Sequence, residues 1–194
     1  MIIGITGKIG SGKTTLAQYL VEQHDYKEYS FANPLKEIAI ILGFSHEQVY
    51  GTQENKLEIH PYWNISAREF LQKAGTELFR QQLPCLIPSM QNIWINLFKM
   101  NYNNNQELYV ISDVRFLDEV KAIVDLGGII IRTKRTNPVI STRGNEIRHV
   151  SELEMDLIRP DYVIDNDQLS KDESKKAIDH ILKVEYEKRG KLKV

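Results

Sequence analysis

The chain has 194 residues, a formal net charge of −1 and 42% hydrophobic residues. This length suits one α/β domain with a real core, and the balanced charge argues against a disordered chain or a nucleic-acid-coating surface. The apolar start is too short for a secretory signal, and no apolar run reaches the length of a membrane span. We therefore expect a single domain (1–194), cytoplasmic, without nucleic-acid or membrane partners. The one cysteine, Cys85, excludes a disulfide framework and is expected to be buried.

Residues 1–6 form a short apolar run, which is typical of a central parallel strand. Residues 7–15 follow it and match G-x-x-x-x-G-K-[ST], directly before a predicted helix over 13–24. The glycines let backbone N–H groups surround an anion, and the helix N-terminus adds partial positive charge. This pattern predicts a phosphate-binding loop for a nucleoside triphosphate and its Mg²⁺.

Each polar residue of this loop has an expected part in nucleotide binding. Lys13 would bridge the β- and γ-phosphates, and the Thr14 hydroxyl would hold Mg²⁺. The residues expected to bind the nucleotide are Lys8, Gly10, Ser11, Gly12, Lys13, Thr14 and Thr15.

The following stretch predicts a short strand near 28–31 and a helix that begins at Pro34. Residues 43–64 are polar and poorly periodic, which indicates a loop or irregular insertion. A capping-box pattern at Ser66 opens a helix to about residue 81, and a further helix is expected over 89–101.

Two features of the helix after Ser66 point to a ligand. Arg68 lies in its first turn, where the helix dipole disfavours a cation, so an anionic partner is indicated. Gly75 and Thr76 interrupt the helical pattern, and a glycine there costs about 1 kcal/mol relative to alanine. Close approach of a ligand or backbone would explain the glycine, and tight helix packing would explain it equally well.

Strands and helices continue to alternate in the second half of the chain. The predicted elements are a strand over 108–113, a helix over 116–126, a strand over 129–131, a helix capped by Ser151, a strand over 162–164 and a helix over 170–186. This alternation predicts an α/β fold: a three-layer P-loop NTPase with a parallel sheet of about five strands and helices on both faces.

Candidate chemistry also follows the later strands, at the sheet edge where ligands bind. Asp113 would contact the metal through water or position substrate, and the Arg115 guanidinium suits a phosphate; an N-cap aspartate beside an exposed arginine is the alternative. The basic stretch from Arg132 to His149 predicts a lid (about 132–150) that closes over the triphosphate, with a solvated loop as the alternative.

With these residues laid out, the chain resembles the deoxynucleoside monophosphate kinases of phages and large DNA viruses over nearly its whole length. The matching stretches are 7–15, 31–36, 68–77, 92–94, 111–119 and 149–152. The most specific of them are 68–77 and the Asp113-Val114-Arg115-Phe116 block.

The resemblance implies a nucleoside-monophosphate-kinase-like fold with a lid, which transfers the γ-phosphoryl of ATP to a deoxynucleoside monophosphate with Mg²⁺, as a monomer or homodimer. It places the acceptor in a region of about 31–82, with Lys36, Arg68 and Arg115 clamping the acceptor phosphate. Gly75, Thr76 and Trp94 would line the nucleoside pocket, and Asp113 and Glu119 would position sugar or base. The substrate-binding set that it implies is Phe31, Lys36, Arg68, Gly75, Thr76, Trp94, Asp113, Arg115 and Glu119. The implied catalytic set is Lys13, Arg68, Asp113, Arg115 and Arg143, with Arg132 and Arg143 serving the donor side.

Three alternatives remain open. Residues 34–37 and 112–115 are similar to stretches of the animal phosphomevalonate kinases, and the first 20 residues resemble dephospho-coenzyme A kinase. From another class, the chain could be a nucleotide-switched binding module or an NTPase without a small-molecule acceptor.

Overall fold

The computed structural model describes residues 1–102, 107–136 and 150–190. The chain divides into two compact units, the first made of Met1–Tyr29 with Asn103–Val194 and the second of Ser30–Tyr102. The predicted acceptor region, 31–82, falls within the second unit. A single kinase domain over 1–194 stays a prediction.

The helices and strands follow one another in this order: β1 (Ile2–Thr6), α1 (Lys13–His24), β2 (Lys27–Tyr29), α2 (Asn33–Ile41), α3 (His46–Tyr50), α4 (Gln53–Leu57), α5 (Ala67–Gln72), a π-helix (Lys73–Gln82), α6 (Leu83–Leu86), a 3₁₀ turn (Pro88–Met90), α7 (Ile93–Asn101), β3 (Tyr109–Ile111), α8 (Leu117–Asp125), β4 (Ile129–Lys134), α9 (Val150–Leu157), β5 (Tyr162–Asp165) and α10 (Lys171–Lys188).

The first unit is built on a five-stranded parallel sheet in the order β2-β3-β1-β4-β5. The central strand β1 is buried along its whole length, which explains its unbroken apolar sequence. The chain moves from β1 toward β2 and later crosses from β3 to β4. The carboxyl ends of β1 and β3 therefore flank the point where the strand order reverses, where ligands bind in such sheets. The predicted α/β fold is confirmed.

Helices cover both faces of this sheet. On one face, α1 and α10 pack on Ile3 and Ile5 of β1 through buried residues such as Leu20 and Ile178. On the other face, Gly4 lies so close to Ile123 of α8 that an added Cβ would overlap it. The core is therefore continuous from each helix layer through β1.

The second unit is helical and has its own core. Ala39, Phe44, Val49 and Ala67 form a buried cluster. Phe31 is also buried and meets Phe98 of α7 edge to face, with ring centroids 5.9 Å apart.

The prediction of a loop over 43–64 was wrong, because α3 and α4 lie there. Both helices have a capping box, formed by Ser45 with Gln48 and by Thr52 with Asn55. Helices of five residues are too short to show hydrophobic periodicity, so only these caps could have revealed them.

The helix expected to run from Ser66 to about residue 81 changes character within that range. It is α-helical over α5 and continues as the π-helix to Gln82. The sequence could not predict this change, because apolar spacing over two turns does not distinguish α-helical from π-helical hydrogen bonding. The helix expected over 89–101 begins only at Ile93, after Asn92 in a left-handed conformation (φ 53°). Cys85, expected to be buried, is exposed on the short helix α6.

Among the described residues, none of the helices combines the length and the apolar character that crossing a bilayer requires.

We expect Ile178→Ala to lower the free energy of unfolding by about 2–5 kcal/mol, because it leaves a cavity between α10 and the sheet. Ile178 is 0% exposed, whereas Val124 on α8 is 50% exposed. Val124→Ala is therefore the control, with an effect within about 0.5 kcal/mol. Chemical unfolding followed by circular dichroism measures both, and equal effects would contradict this account of the core.

Candidate functional site

The loop between β1 and α1 has the backbone that an anion cradle needs. Gly12 is the N-cap of α1 with φ 101°, and Gly7 has φ 145°. Side chains rarely adopt these conformations, and an added Cβ at Gly7 would also overlap the Thr133 carbonyl. The predicted phosphate-loop geometry is therefore present, with the N-terminus of α1 at its end.

Lys13, the first residue of α1, lies folded over this loop. Its Nζ donates to the carbonyls of Gly7 (2.6 Å) and Lys8 (2.9 Å). Burial, and after it the Arg115 charge, lowers the Lys13 pKa to about 8, while the Asp113 charge acts in the opposite direction. Lys13 follows β1, whereas Asp113 and Arg115 follow β3 about 100 positions later. The sheet therefore places these three charges close enough to interact.

Ser11 and Thr14, the hydroxyl residues nearest to Lys13 on its two sides in the sequence, with Thr15 following, differ in exposure to solvent. Ser11 is buried, and its Oγ lies 2.6 Å from Thr133 Oγ1 of β4. Its side chain therefore braces the loop, while Thr14 at the start of α1 is exposed.

A metal site built from protein side chains alone is not seen. Within the ranges that the structure describes, no cluster of three or more His, Cys, Asp or Glu side chains could hold a metal ion. A hydroxyl and one carboxylate, Thr14 and Asp113, fit Mg²⁺ that takes its remaining ligands from phosphates and water.

The connection from β3 to α8 is held by Glu119. This residue is 3% exposed, and its Oε2 accepts hydrogen bonds from the backbone N–H groups of Arg115 (2.8 Å) and Phe116 (3.1 Å). Val114 N–H donates to the Ile5 carbonyl of β1, at 3.2 Å. Glu119 therefore fixes the backbone that carries Arg115, and the direct contact with sugar or base that the resemblance implies stays a prediction.

Arg132 has a structural task in the described chain. It lies within β4, and its Nη2 donates to the carbonyls of Met155 (2.8 Å) and Ile158 (2.7 Å), at the end of α9. Because β4 continues to Lys134, Arg132 itself lies in the sheet, and the lid over about 132–150 stays a prediction. Helix α9 includes Ser151, so this serine is not its N-cap. Arg143 and His149 lie outside the described residues.

Arg135 lies in the basic stretch that begins at Arg132. Its Nη1 donates to the Gly10 carbonyl of the phosphate loop, at 3.4 Å. It directly follows β4, so it reaches the loop from the strand next to β1. Among the described cations of that stretch, Arg135 is the one with a hydrogen bond to the phosphate loop.

In the second unit, three cations converge. Arg68 of α5 donates from Nη2 to Gln53 of α4, at 2.8 Å. Lys56 lies one turn after Gln53, and its pKa is lowered by burial and then by the charges of Lys36 and Arg68. Within the described part of the chain, none of the three cations forms a salt bridge.

Lys56 was missed because the segment that contains it was interpreted as a loop. The Thr52–Asn55 capping box was the signal that could have found α4, and hence the shared face of Gln53 and Lys56.

The remaining residues of the predicted nucleoside pocket support one another. Trp94 Nε1 donates to the Gly75 carbonyl at 3.2 Å, and the Trp94 ring packs against Phe79 in a tilted arrangement with centroids 5.1 Å apart. An added Cβ at Gly75 would lie 3.0 Å from Leu35 Cδ2, so the glycine allows close packing against α2, and a ligand contact at Gly75 stays a prediction. Thr76 and Phe31 are buried.

Comparison with known proteins identifies relatives of the chain. Residues 43–176 match the family model described as deoxynucleotide monophosphate kinase. A protein of Acanthamoeba polyphaga mimivirus, provisionally named as a deoxynucleotide monophosphate kinase, is 39% identical over 167 residues, which cover 82% of this chain and 84% of that protein. The resemblance to kinases of large DNA viruses is thereby confirmed.

Solved structures share the fold. A shikimate kinase from Aquifex aeolicus is 12% identical with a TM-score of 0.51, covering 96% of this chain and 98% of its own. A shikimate kinase from Bacteroides thetaiotaomicron is 12% identical with a TM-score of 0.50, covering 94% and 98%. At this identity the likeness supports the P-loop kinase fold alone.

The lowered pKa of Lys13 predicts how nucleotide affinity varies with pH. Bound triphosphate favours the protonated amine and raises its pKa, so we expect the affinity for ATP to fall as the pH rises above about 8. Titration calorimetry between pH 7 and 9.5 measures this fall.

Lys13→Arg is the matched control, because its guanidinium stays charged over that range. Its affinity should be independent of pH above 8, whatever its absolute value. The same decline in both proteins would contradict the assignment to Lys13.

Proposed function

Because the chain belongs to the deoxynucleotide monophosphate kinase family, we propose that it transfers the γ-phosphoryl group of ATP to a deoxynucleoside monophosphate, giving the diphosphate and ADP. The family match over residues 43–176 carries this proposal. That match begins after the phosphate loop, so the loop geometry around Lys13 is a separate observation with the same implication. The family match favours this acceptor over phosphomevalonate, dephospho-coenzyme A or a purely nucleotide-switched role.

The donor would bind at the loop that follows β1. Backbone N–H groups and the α1 N-terminus would hold the phosphates, with Lys13 moving from the carbonyls of Gly7 and Lys8 to the phosphate oxygens. Thr14 and Asp113 would hold Mg²⁺, which neutralises charge on the phosphate oxygens when bound. Arg135 adds a cation beside the loop.

The acceptor phosphate would bind to the cation cluster of Lys36, Lys56 and Arg68. Burial, and after it the charges of Lys36 and Arg68, lowers the pKa of Lys56, and a bound anion would act in the opposite direction. A phosphate dianion is such an anion, and the planar Arg68 guanidinium can bind two of its oxygens. Gln53 holds that guanidinium in place.

Arg115 would stabilise the charge on the transferred group, and Glu119 would act by positioning it. Phosphoryl transfer depends mainly on positioning and charge neutralisation, so the absence of an assigned nucleophile is consistent with the chemistry. Gly75, Thr76 and Trp94 as the nucleoside pocket, Arg143 as a lid arginine, a cytoplasmic location and the oligomeric state stay predictions.

An ADP-release assay with Mg-ATP tests the function. The acceptors are dGMP, dTMP, dCMP, dAMP, the four ribonucleoside monophosphates and phosphomevalonate. Turnover that requires one or more deoxynucleoside monophosphates is expected. ATP hydrolysis at the same rate without acceptor would instead identify an NTPase, and turnover with phosphomevalonate alone would reject the proposal.

We expect Arg68→Ala and Lys56→Ala to impair acceptor use, by about 1.5–3 kcal/mol in kcat/KM for a lost charged hydrogen bond. The KM for ATP should stay unchanged in both variants, since the cluster would serve the acceptor alone. Initial rates with each substrate varied in turn measure the two effects.

Lys73→Ala is the control for charge. Lys73 lies in the same unit but pairs with Glu69, 2.8 Å away on the exposed surface. An effect of Lys73→Ala as large as that of Lys56→Ala would mean that general surface charge, and not the cluster, accounts for acceptor binding.

A further inference from the structure

The connection between β5 and α10 reaches the phosphate loop through one side chain, Asn166. Its Nδ2 donates to the Ser11 carbonyl at 2.5 Å, and its backbone N–H donates to the Lys134 carbonyl at 2.9 Å. Its Oδ1 lies 2.6 Å from the hydroxyl of Ser174, which is 4% exposed. Asn166 is thus tied to β4, to α10 and to the loop.

The chemistry of these partners leaves the amide one orientation. The Ser11 carbonyl can only accept a hydrogen bond, so it must face the NH₂ group. Oδ1 then faces the Ser174 hydroxyl, which can donate to it. The same hydroxyl lies 2.9 Å from the Ser170 carbonyl in the first turn of α10. The side chain therefore has a defined rotamer and a defined flip.

The bond to Ser11 has a consequence for the next amide group. In a planar trans peptide, the C=O of one residue and the N–H of the next point in opposite directions. Holding the Ser11 carbonyl toward Asn166 therefore directs the Gly12 N–H away from Asn166. The contact is tight on this side, since an added Cβ at Gly12 would lie 2.5 Å from Asn166 Nδ2.

Ser11 is held from the sheet as well. Its Oγ is 2.6 Å from Thr133 Oγ1, so its side chain is anchored to β4 while its carbonyl is anchored to Asn166. With both groups restrained, the peptide between Ser11 and Gly12 has little freedom to rotate.

We propose that Asn166 is a positioning residue for the donor nucleotide: it holds the Ser11–Gly12 peptide so that the Gly12 N–H faces the bound phosphates. This inference rests on the proposed function only in taking ATP as the ligand of the loop. Pre-organised backbone donors lose less entropy on binding, so Asn166 contributes to affinity without touching the nucleotide.

Titration calorimetry of the full chain with Mg-ATP tests the proposal. We expect Asn166→Ala to weaken ATP binding about tenfold, because the hydrogen bond that orients the Ser11–Gly12 peptide is lost. Asn166→Asp should weaken it further, because a carboxylate would face the Ser11 carbonyl and add negative charge beside the triphosphate. Gln168→Ala, an exposed residue of the same connection, should bind as the unaltered protein does.

A purely structural role is distinguished by combining affinity with thermal unfolding. If Asn166→Ala lowers the Tm but the folded protein binds ATP normally, the positioning role is overturned, as it is if neither quantity changes. Ser174→Ala serves if Asn166→Ala does not fold: it should weaken ATP binding by a smaller factor, and unchanged affinity would contradict the proposal.

The steady-state constants separate this inference from the proposed function. In the kinase assay, Asn166→Ala should raise the KM for ATP and leave the KM of the acceptor unchanged. If no acceptor supports turnover even in the unaltered protein, the proposed function fails. The calorimetric loss of ATP binding would still establish the role of Asn166.

Discussion

The fold depends on one constraint: at the end of β1, backbone N–H groups must turn inward as an anion cradle and keep that conformation. Such a loop depends on its surroundings, because N–H groups that face an anion make no hydrogen bonds within the chain. Thr133 anchors the Ser11 side chain from β4, and Lys13 closes on the carbonyls of Gly7 and Lys8. On the other side of β1, Val114 N–H bonds to the Ile5 carbonyl. The parallel sheet thus serves as a rigid frame for the phosphate loop.

Charge is the second organising principle, and each unit contains a group of charged side chains that act on one another. In the first unit, Lys13 is electrostatically coupled to Arg115 and Asp113. In the second, the charges of Lys36 and Arg68 act on Lys56. Bringing like charges together is unfavourable, so clusters of this kind indicate anionic ligands more strongly than any single arginine does. Two such clusters match a reaction with a phosphate on both the donor and the acceptor.

Several residues with the right chemistry for catalysis have structural tasks, and their sequence context could not distinguish the two. Glu119 is a carboxylate near the sheet edge, but its oxygen accepts two backbone hydrogen bonds. Arg132 opens a basic stretch, but its guanidinium holds the end of α9. In each case the partner is a main-chain group whose position follows from the path of the chain. Residue type predicts what a side chain can bind, and only the fold decides which partner is within reach.

By itself, the sequence determined the features that are local. The loop motif, the apolar strands and the alternation of strands with helices specify the parallel sheet, because each depends on spacing within one element. Tertiary structure alone decided the sheet order, the coupling of Lys13 to Arg115, the meeting of Lys56 with Arg68, and the contact of Asn166 with Ser11. These pairs come from different elements, and Ser11 and Asn166 are 155 residues apart. No periodicity records such contacts, since they arise only when separate elements pack around the same core.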